Sequence, residues 1–241
     1  MIIERRSDAR GRVQAGWLDS RHTFSFGQYY DPAWMGFGAL RVINEDRVAP
    51  GAGFPSHRHA NMEILSYVLA GALSHRDSSG GEGEAAGLIG AGELQWMSAG
   101  HGVEHSEFNA SDTQPVHFLQ IWLQPDRLNA APAYAQRGVP SPAGDGRWRL
   151  LASPDGADGS LAIRQQARVL GVRLGAGDSV DHVLDPARRY WLQVALGSVV
   201  AGEHALVAGD ALGFVDEAAT LHLVGAGVAV ADVLLFELPR D

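Results

Sequence analysis

Cysteine is absent from this 241-residue chain, and so is lysine: all 19 basic residues are arginine. Without cysteine there is no disulfide framework, no thiolate nucleophile and no sulfur-ligated zinc, so a bound metal must rely on nitrogen and oxygen. Without lysine there is no Schiff-base chemistry and no P-loop lysine to grip a phosphate. Genomic base composition accounts for that bias. Long apolar runs are also missing, so no segment reads as a membrane span. The opening residues, Met1 to Arg6, lack the apolar stretch of a signal peptide. A net charge of −9 with scattered arginines leaves no basic stripe for nucleic acid. Together these absences predict a soluble, cytoplasmic protein that binds neither nucleic acid nor membrane.

Glycine, at 30 residues, punctuates short apolar runs, which is the pattern of an all-β chain with many turns. Predicted strands in the first half are Leu40–Ile43, Glu63–Leu69, Ala72–His75, Glu93–Met97, Val103–Asn109 and Val116–Leu123. In the second half they are Ala167–Leu174, Tyr190–Leu196, Leu206–Val207, Ala211–Phe214, Thr220–Val224 and Val228–Leu235. Only Asp126–Gln136 has a weak helical look. The Pro- and Gly-rich stretch 138–146 reads as a linker, dividing the chain into residues 1–137 and 147–241.

The halves resemble each other. Tyr67-Val-Leu-Ala-Gly71 aligns with Gln193-Val-Ala-Leu-Gly197, and Gly92-Glu-Leu-Gln-Trp96 with Gly209-Asp-Ala-Leu-Gly213. Each half ends in an apolar strand followed by proline, Pro125 and Pro239. The repeat predicts two β-barrels in tandem. His57-Arg-His59 and His105-Ser-Glu107 stand out in the first. Spacing of i, i+2 on a strand places both side chains on one face, roughly 6.6 Å apart. Three imidazoles and a carboxylate from neighbouring strands suffice for one transition metal. The aligned positions of the second half are Val183, Asp185, His222 and Val224, which predicts a second barrel without metal.

The stretch Gly51-x5-His57-x-His59-x3-Glu63 resembles the first cupin motif. Gly92 to Gly100 with His105 and Asn109 resembles the second, with a longer gap between Gly100 and His105 than usual. More narrowly, Trp17 to Pro32, Leu40-Arg-Val-Ile-Asn44, Asp77-Ser-Ser-Gly80 and Gln95 to Glu107 resemble the pirin family, and within it the short bacterial proteins with quercetin 2,3-dioxygenase activity. The resemblance spans essentially the whole chain. It implies a bicupin, two RmlC-like jelly-roll cupin barrels in tandem. It also implies one divalent transition metal, non-haem Fe(II) with other divalent ions able to substitute, held by His57, His59, His105 and Glu107. Two local departures are Arg58, where proline is common, and His101, where relatives often differ. In ordinary cupins the equivalent of Glu63 is a ligand. Here Glu63 shares strand parity with His57 and His59, so it could face the same cavity. Glu107 is taken as the ligand, with Glu63 either supporting the site from behind or simply hydrogen-bonding at the core edge, and either carboxylate could be the catalytic base.

The activity this implies is oxygenolysis of a flavonol or other aromatic small molecule by dioxygen, with carbon monoxide released. Two other readings follow from the same residues. One is an iron-dependent redox sensor that binds a regulatory protein partner, as pirin itself does. The other is an oxygen-independent cupin reaction using the metal as a Lewis acid. Of the remaining histidines, His75 and His101 read as surface or turn residues and His117 as a core residue. His22 reads as packing for the N-terminal segment, and His182 and His204 as surface or core. Asn109 is expected to support the His105 strand by hydrogen bonding, and Phe24, Phe26, Trp96, Phe118 and Trp122 are expected in the core.

Overall fold

The computed structural model of the chain describes residues 1–78, 85–138 and 146–240. Two barrels, each made of a long and a short sheet, form the molecule; every pairing among the described residues is antiparallel except that of Arg149–Ser153 with Leu161–Ala162, which is parallel. The long sheet of the first runs, in spatial order, β12 (Ala133–Gly138), β9 (Glu93–Ser98), β6 (Glu63–Ala70), β11 (Val116–Leu123), β4 (Leu40–Val48), β3 (Leu18–His22) and β2 (Gly11–Gln14). Its short sheet runs β5 (Gly53–His59), β10 (Val103–Asn109), β7 (Ala72–Asp77) and β8 (Ala85–Gly90). The long sheet of the second barrel runs β1 (Ile2–Arg5), β20 (Ala211–Val215), β17 (Arg188–Leu196), β22 (Ala231–Pro239), β15 (Arg168–Leu174), β13 (Arg149–Ser153) and β14 (Leu161–Ala162). Its short sheet runs β16 (Ser179–Val183), β21 (Thr220–Gly225), β18 (Ser198–Ala201) and β19 (His204–Val207).

The short sheets and the central strands of the long sheets follow the same order in both barrels, as the internal repeat predicts, and the barrels differ at the long-sheet edges. The shared turns fall at matching places: Gly71 and Gly197 both adopt positive φ, at 76° and 71°. A Cβ there would also sit 2.8 Å from the Pro115 carbonyl oxygen or 2.7 Å from the Ala231 Cα, so glycine is required twice over. One strand departs from a simple division of the chain. β1 lies beside β20, Ile2 opposite Phe214, and so completes the long sheet of the second barrel. The corresponding edge of the first barrel is β12, which follows β11 directly in sequence. The strand β12 also replaces the helical look of Asp126–Gln136, and there is no α-helix among the described residues. Residues 139–145 of the expected linker, and Ser79 and Gly80 of the expected turn, lie outside the described residues. Among the described residues no helix is long and apolar enough to cross a membrane.

The long sheets bury both faces, and alternation sorts their side chains into two cores. On β6, Leu65 and Tyr67 join a core shared by both barrels, with Leu151, Trp191 and Phe236 from the second. Ile64 and Val68 instead belong to clusters inside the first barrel. At the centre of the shared core, Trp191 is fully buried, with ring centroids 5.0 Å from Phe24 and 5.1 Å from Phe37. Tyr67 donates to Asp232 Oδ2 at 2.8 Å across the same boundary. Residues before β4 therefore pack on the second barrel rather than the first alone. Trp191→Ala should cost about 3–5 kcal/mol of stability in denaturant titration, because the surrounding rings cannot close the cavity.

Candidate metal centre

Three of the four expected donors, His57, His59 and His105, come together on the short sheet of the first barrel. Its inner face carries His57 and His59 from β5 and His105 from β10, with His105 directly opposite His57 in the antiparallel register. Among the described residues, the set whose donor atoms lie within 4.8 Å of one another is His57, His59 and His105. His57 Nε2 and His105 Nε2 are 3.0 Å apart. The rings of His59 and His105 stand 4.8 Å apart, and Trp122 packs edge-on against His59 at 4.9 Å. An open cavity of about 1000 Å³ lies over the cluster, lined by Arg58, His59, Arg76, Asp77, His101 and His105 among others.

The donor chemistry fits a transition metal. His57 Nδ1 lies 2.8 Å from the Pro55 carbonyl oxygen, which can only accept, so the ring proton belongs there and Nε2 keeps its lone pair. Burial drives His59 down to about 4, and the neighbouring His57 adds to it. Burial likewise drives His105 down to about 2, with His57, His59 and His75 contributing. His59 and His105 are thus held neutral at pH 7, the form that ligates. Lone pairs crowded this closely repel one another, and a cation relieves that repulsion.

Glu107 shares the inner strand face with His105 but stands apart from the three-imidazole set. A bulge falls between the two residues, so Glu107 pairs with Phe54 on β5 and with His75 on β7. Its carboxyl is fully engaged in the barrel: Ser66 Oγ donates to Oε1 at 3.0 Å and Gln120 Nε2 to Oε2 at 2.7 Å. Burial pushes Glu107 up to about 7; the hydrogen bonds from Ser66 and Gln120 oppose the shift and the charge of Asp46 adds to it.

Glu63 is a correction. The expectation that it faces the cavity with His57 and His59 carries strand parity across the turn at Asn61, where φ is 52° and the chain passes to another sheet. On β6 the odd positions face the second barrel. Glu63 accepts from Trp96 Nε1 at 2.7 Å, Ser98 Oγ at 2.5 Å and the backbone N–H of Arg164 at 2.9 Å. It is a fastener between barrels, with both oxygens occupied.

The histidines sort differently from expectation in one case. His75 is wholly buried, with Nε2 3.1 Å from His105 Nδ1, rather than at a surface turn. His101 is exposed at the cavity rim, and His117 is partly buried with Nε2 2.9 Å from Glu45. His22 packs edge-on against Phe26, as a packing residue should. Asn109 donates from Nδ2 to the carbonyls of Val48, Ala49 and Gln114, tying the end of the His105 strand to two loops. In the second barrel, register makes Asp181, not Val183, the counterpart of His57. It faces His222 on β21, and the pair bonds at 2.5 Å in the open.

Comparison with known proteins agrees with this architecture. The chain matches the Pirin family model over residues 4–123 and a quercetinase C-terminal cupin domain over residues 150–238. It is 42% identical over 240 residues to the quercetin 2,3-dioxygenase of Escherichia coli K12, covering 99% of each chain. It is 41% identical over 220 residues to a pirin-like protein of Caulobacter vibrioides, covering 90% of this chain and 92% of the relative. The crystal structure of the bacterial pirin YhhW of Escherichia coli in complex with nickel(II) aligns over the full length of both chains, with a TM-score of 0.92 at 41% identity. Tandem cupin barrels with an imidazole cluster in the leading one define a metal-type bicupin. The chain belongs to the pirin family.

Two predictions follow from the buried carboxyls. Glu63→Ala strands the indole, hydroxyl and amide donors around it, so melting should reveal a loss of at least about 2 kcal/mol while nickel(II) stoichiometry stays the same. Asp46 is pushed up to about 7, chiefly by burial, against a hydrogen bond from Ser20 and with a contribution from the charge of Glu45. A carboxyl raised in the folded state imposes no cost below its unfolded pKa and its full cost above its folded pKa. Asp46→Asn should therefore melt higher than the parent chain above pH 7, with the gap closing as pH falls toward 4.

Proposed function

We propose that this chain is a metal-dependent dioxygenase acting on flavonols such as quercetin, with His57, His59 and His105 holding one divalent metal and Glu107 serving as the carboxylate of the same site. The convergence of three imidazoles beneath an open cavity carries this reading. Nitrogen donors with one carboxylate suit non-haem Fe(II) and leave coordination positions for substrate and oxygen. The name of the 42%-identical Escherichia coli relative supports the reaction class, and the nickel(II) complex of YhhW supports metal occupancy.

The metal, when bound, supplies a Lewis acid that lowers the pKa of a substrate hydroxyl and a meeting point for substrate and dioxygen. The chain supplies the rest. A cavity of about 1000 Å³ is ample for a polycyclic aromatic ligand. Trp122, set edge-on against His59, gives the cluster an apolar flank. Glu107, two residues from His105 and out of bulk water, is the carboxylate we assign to take the 3-hydroxyl proton. The overall change balances as flavonol plus dioxygen giving a depside plus carbon monoxide: C–O bonds form at ring carbons 2 and 4, and carbon 3 leaves with its own oxygen.

The test is oxygen uptake with quercetin after anaerobic Fe(II) loading, with carbon monoxide quantified. We expect one carbon monoxide per dioxygen, and His57→Ala to lose both metal retention and at least about 100-fold in turnover. Full oxygen uptake by His57→Ala, or uptake without carbon monoxide, refutes the assignment.

A further inference from the structure

We infer that His75 is a positioning residue that sets the protonation pattern of His105, so that the lone pair of His105 Nε2 faces the metal. The inference rests on the proposed metal centre. The geometry starts from a ring with two distinct nitrogens. His105 Nε2 lies 3.0 Å from His57 Nε2, inside the cluster, and His105 Nδ1 lies 3.1 Å from His75 Nε2, behind it. For Nε2 to offer a lone pair, the single proton of the neutral ring must sit on Nδ1. That proton then points at His75 Nε2, which must accept. His75 must in turn carry its own proton on Nδ1.

The surroundings of His75 favour that choice. Its Nδ1 lies 3.7 Å from Asp77 Oδ2, with both side chains wholly shielded from solvent. That is long for a hydrogen bond. It is close enough, away from water, for the carboxyl oxygen to favour a proton on the near nitrogen. The ring itself is clamped. Tyr134 lies nearly parallel to it, 19° between planes and 5.2 Å between centroids. Space for Tyr134 exists because the residue opposite His75 on β8 is Gly87, where a Cβ would come within 2.1 Å of the tyrosine hydroxyl. A buried imidazole with a fixed plane, an acceptor nitrogen toward one ligand and a donor nitrogen toward a carboxyl is built to hold one arrangement of protons. Outer partners of this kind orient ligands and raise their basicity.

The test uses metal-free protein and nickel(II) as the probe. Long-range ¹H–¹⁵N NMR of the intact chain, at a pH where the imidazoles are neutral, should show His105 protonated on Nδ1. In His75→Phe, which keeps an aromatic ring against Tyr134 but offers no acceptor, the proton should shift toward Nε2. Chelator competition should then show nickel(II) held about 10–100-fold more weakly. His75→Gln, whose amide oxygen can accept from Nδ1, should recover most of the affinity. Two results overturn the inference: His105 of the parent chain protonated on Nε2, or His75→Phe with the parent's proton placement and affinity. The first is read on the unsubstituted protein, so it decides the matter even if His75→Phe does not fold. A parent chain that binds no nickel(II) would instead remove the metal centre beneath it, a failure distinct from either.

Discussion

A strand has two faces, and in the central strands of the long sheets neither face is wet. Every central strand must therefore satisfy two interiors at once, its own barrel's and the one it shares with the neighbouring barrel. On β6 the even positions, Ile64, Ser66 and Val68, serve the first interior, and Ser66 reaches Glu107 there. The odd positions, Glu63, Leu65 and Tyr67, serve the second, and Tyr67 crosses to Asp232. A one-residue slip would exchange the two sets and put Glu63 into the barrel in place of Ser66. The chemistry of the first barrel depends on that register being right.

The short sheets have the opposite character. Only one face is covered, so the first carries polar and ionisable side chains at the cavity without burying them wholly. His57 and His59 are half-buried while His105 is closed over, a gradient running from rim to floor. The second barrel keeps the scaffold but fills it with an apolar core of Leu174, Leu192, Leu223 and their neighbours. His222 remains at the position of His105, yet it has only an exposed aspartate for company. Among the described residues the same architecture thus carries a three-histidine cluster in the first barrel, where the difference from the second lies in a few side chains rather than in the strands.

Much of this was legible in the sequence because hydrophobic runs and glycine turns are local signals. Val103–Asn109 and Val116–Leu123 have the boundaries their composition suggests, and the repeat seen at Gly71 and Gly197 is a repeat of backbone conformation. The i, i+2 spacing of His57 and His59, and His105 on a neighbouring strand, brought the three imidazoles to one face. Other features depend on distant partners. The strand β5, Gly-Phe-Pro-Ser-His-Arg-His, carries little apolar signal because one side is solvated. The facing of Glu63 turns on a change of sheet at Asn61, which no periodicity reports. His75 looked like a turn residue because Leu-Ser-His-Arg-Asp is polar, but Tyr134, 59 positions onward, closes over it.

The placement of β1 has a consequence for how the molecule is completed. The second barrel borrows an edge strand, β1, from the sequence ahead of the first barrel, so its Ala211–Val215 edge has no partner until β1 reaches it. During synthesis, β1 must wait, unpaired, for a strand made some two hundred residues later. Severing the chain between the barrels would not yield two equivalent modules: the leading piece would keep its edge strand β12 and trail an orphan, while the trailing piece would present an open ladder to any passing strand.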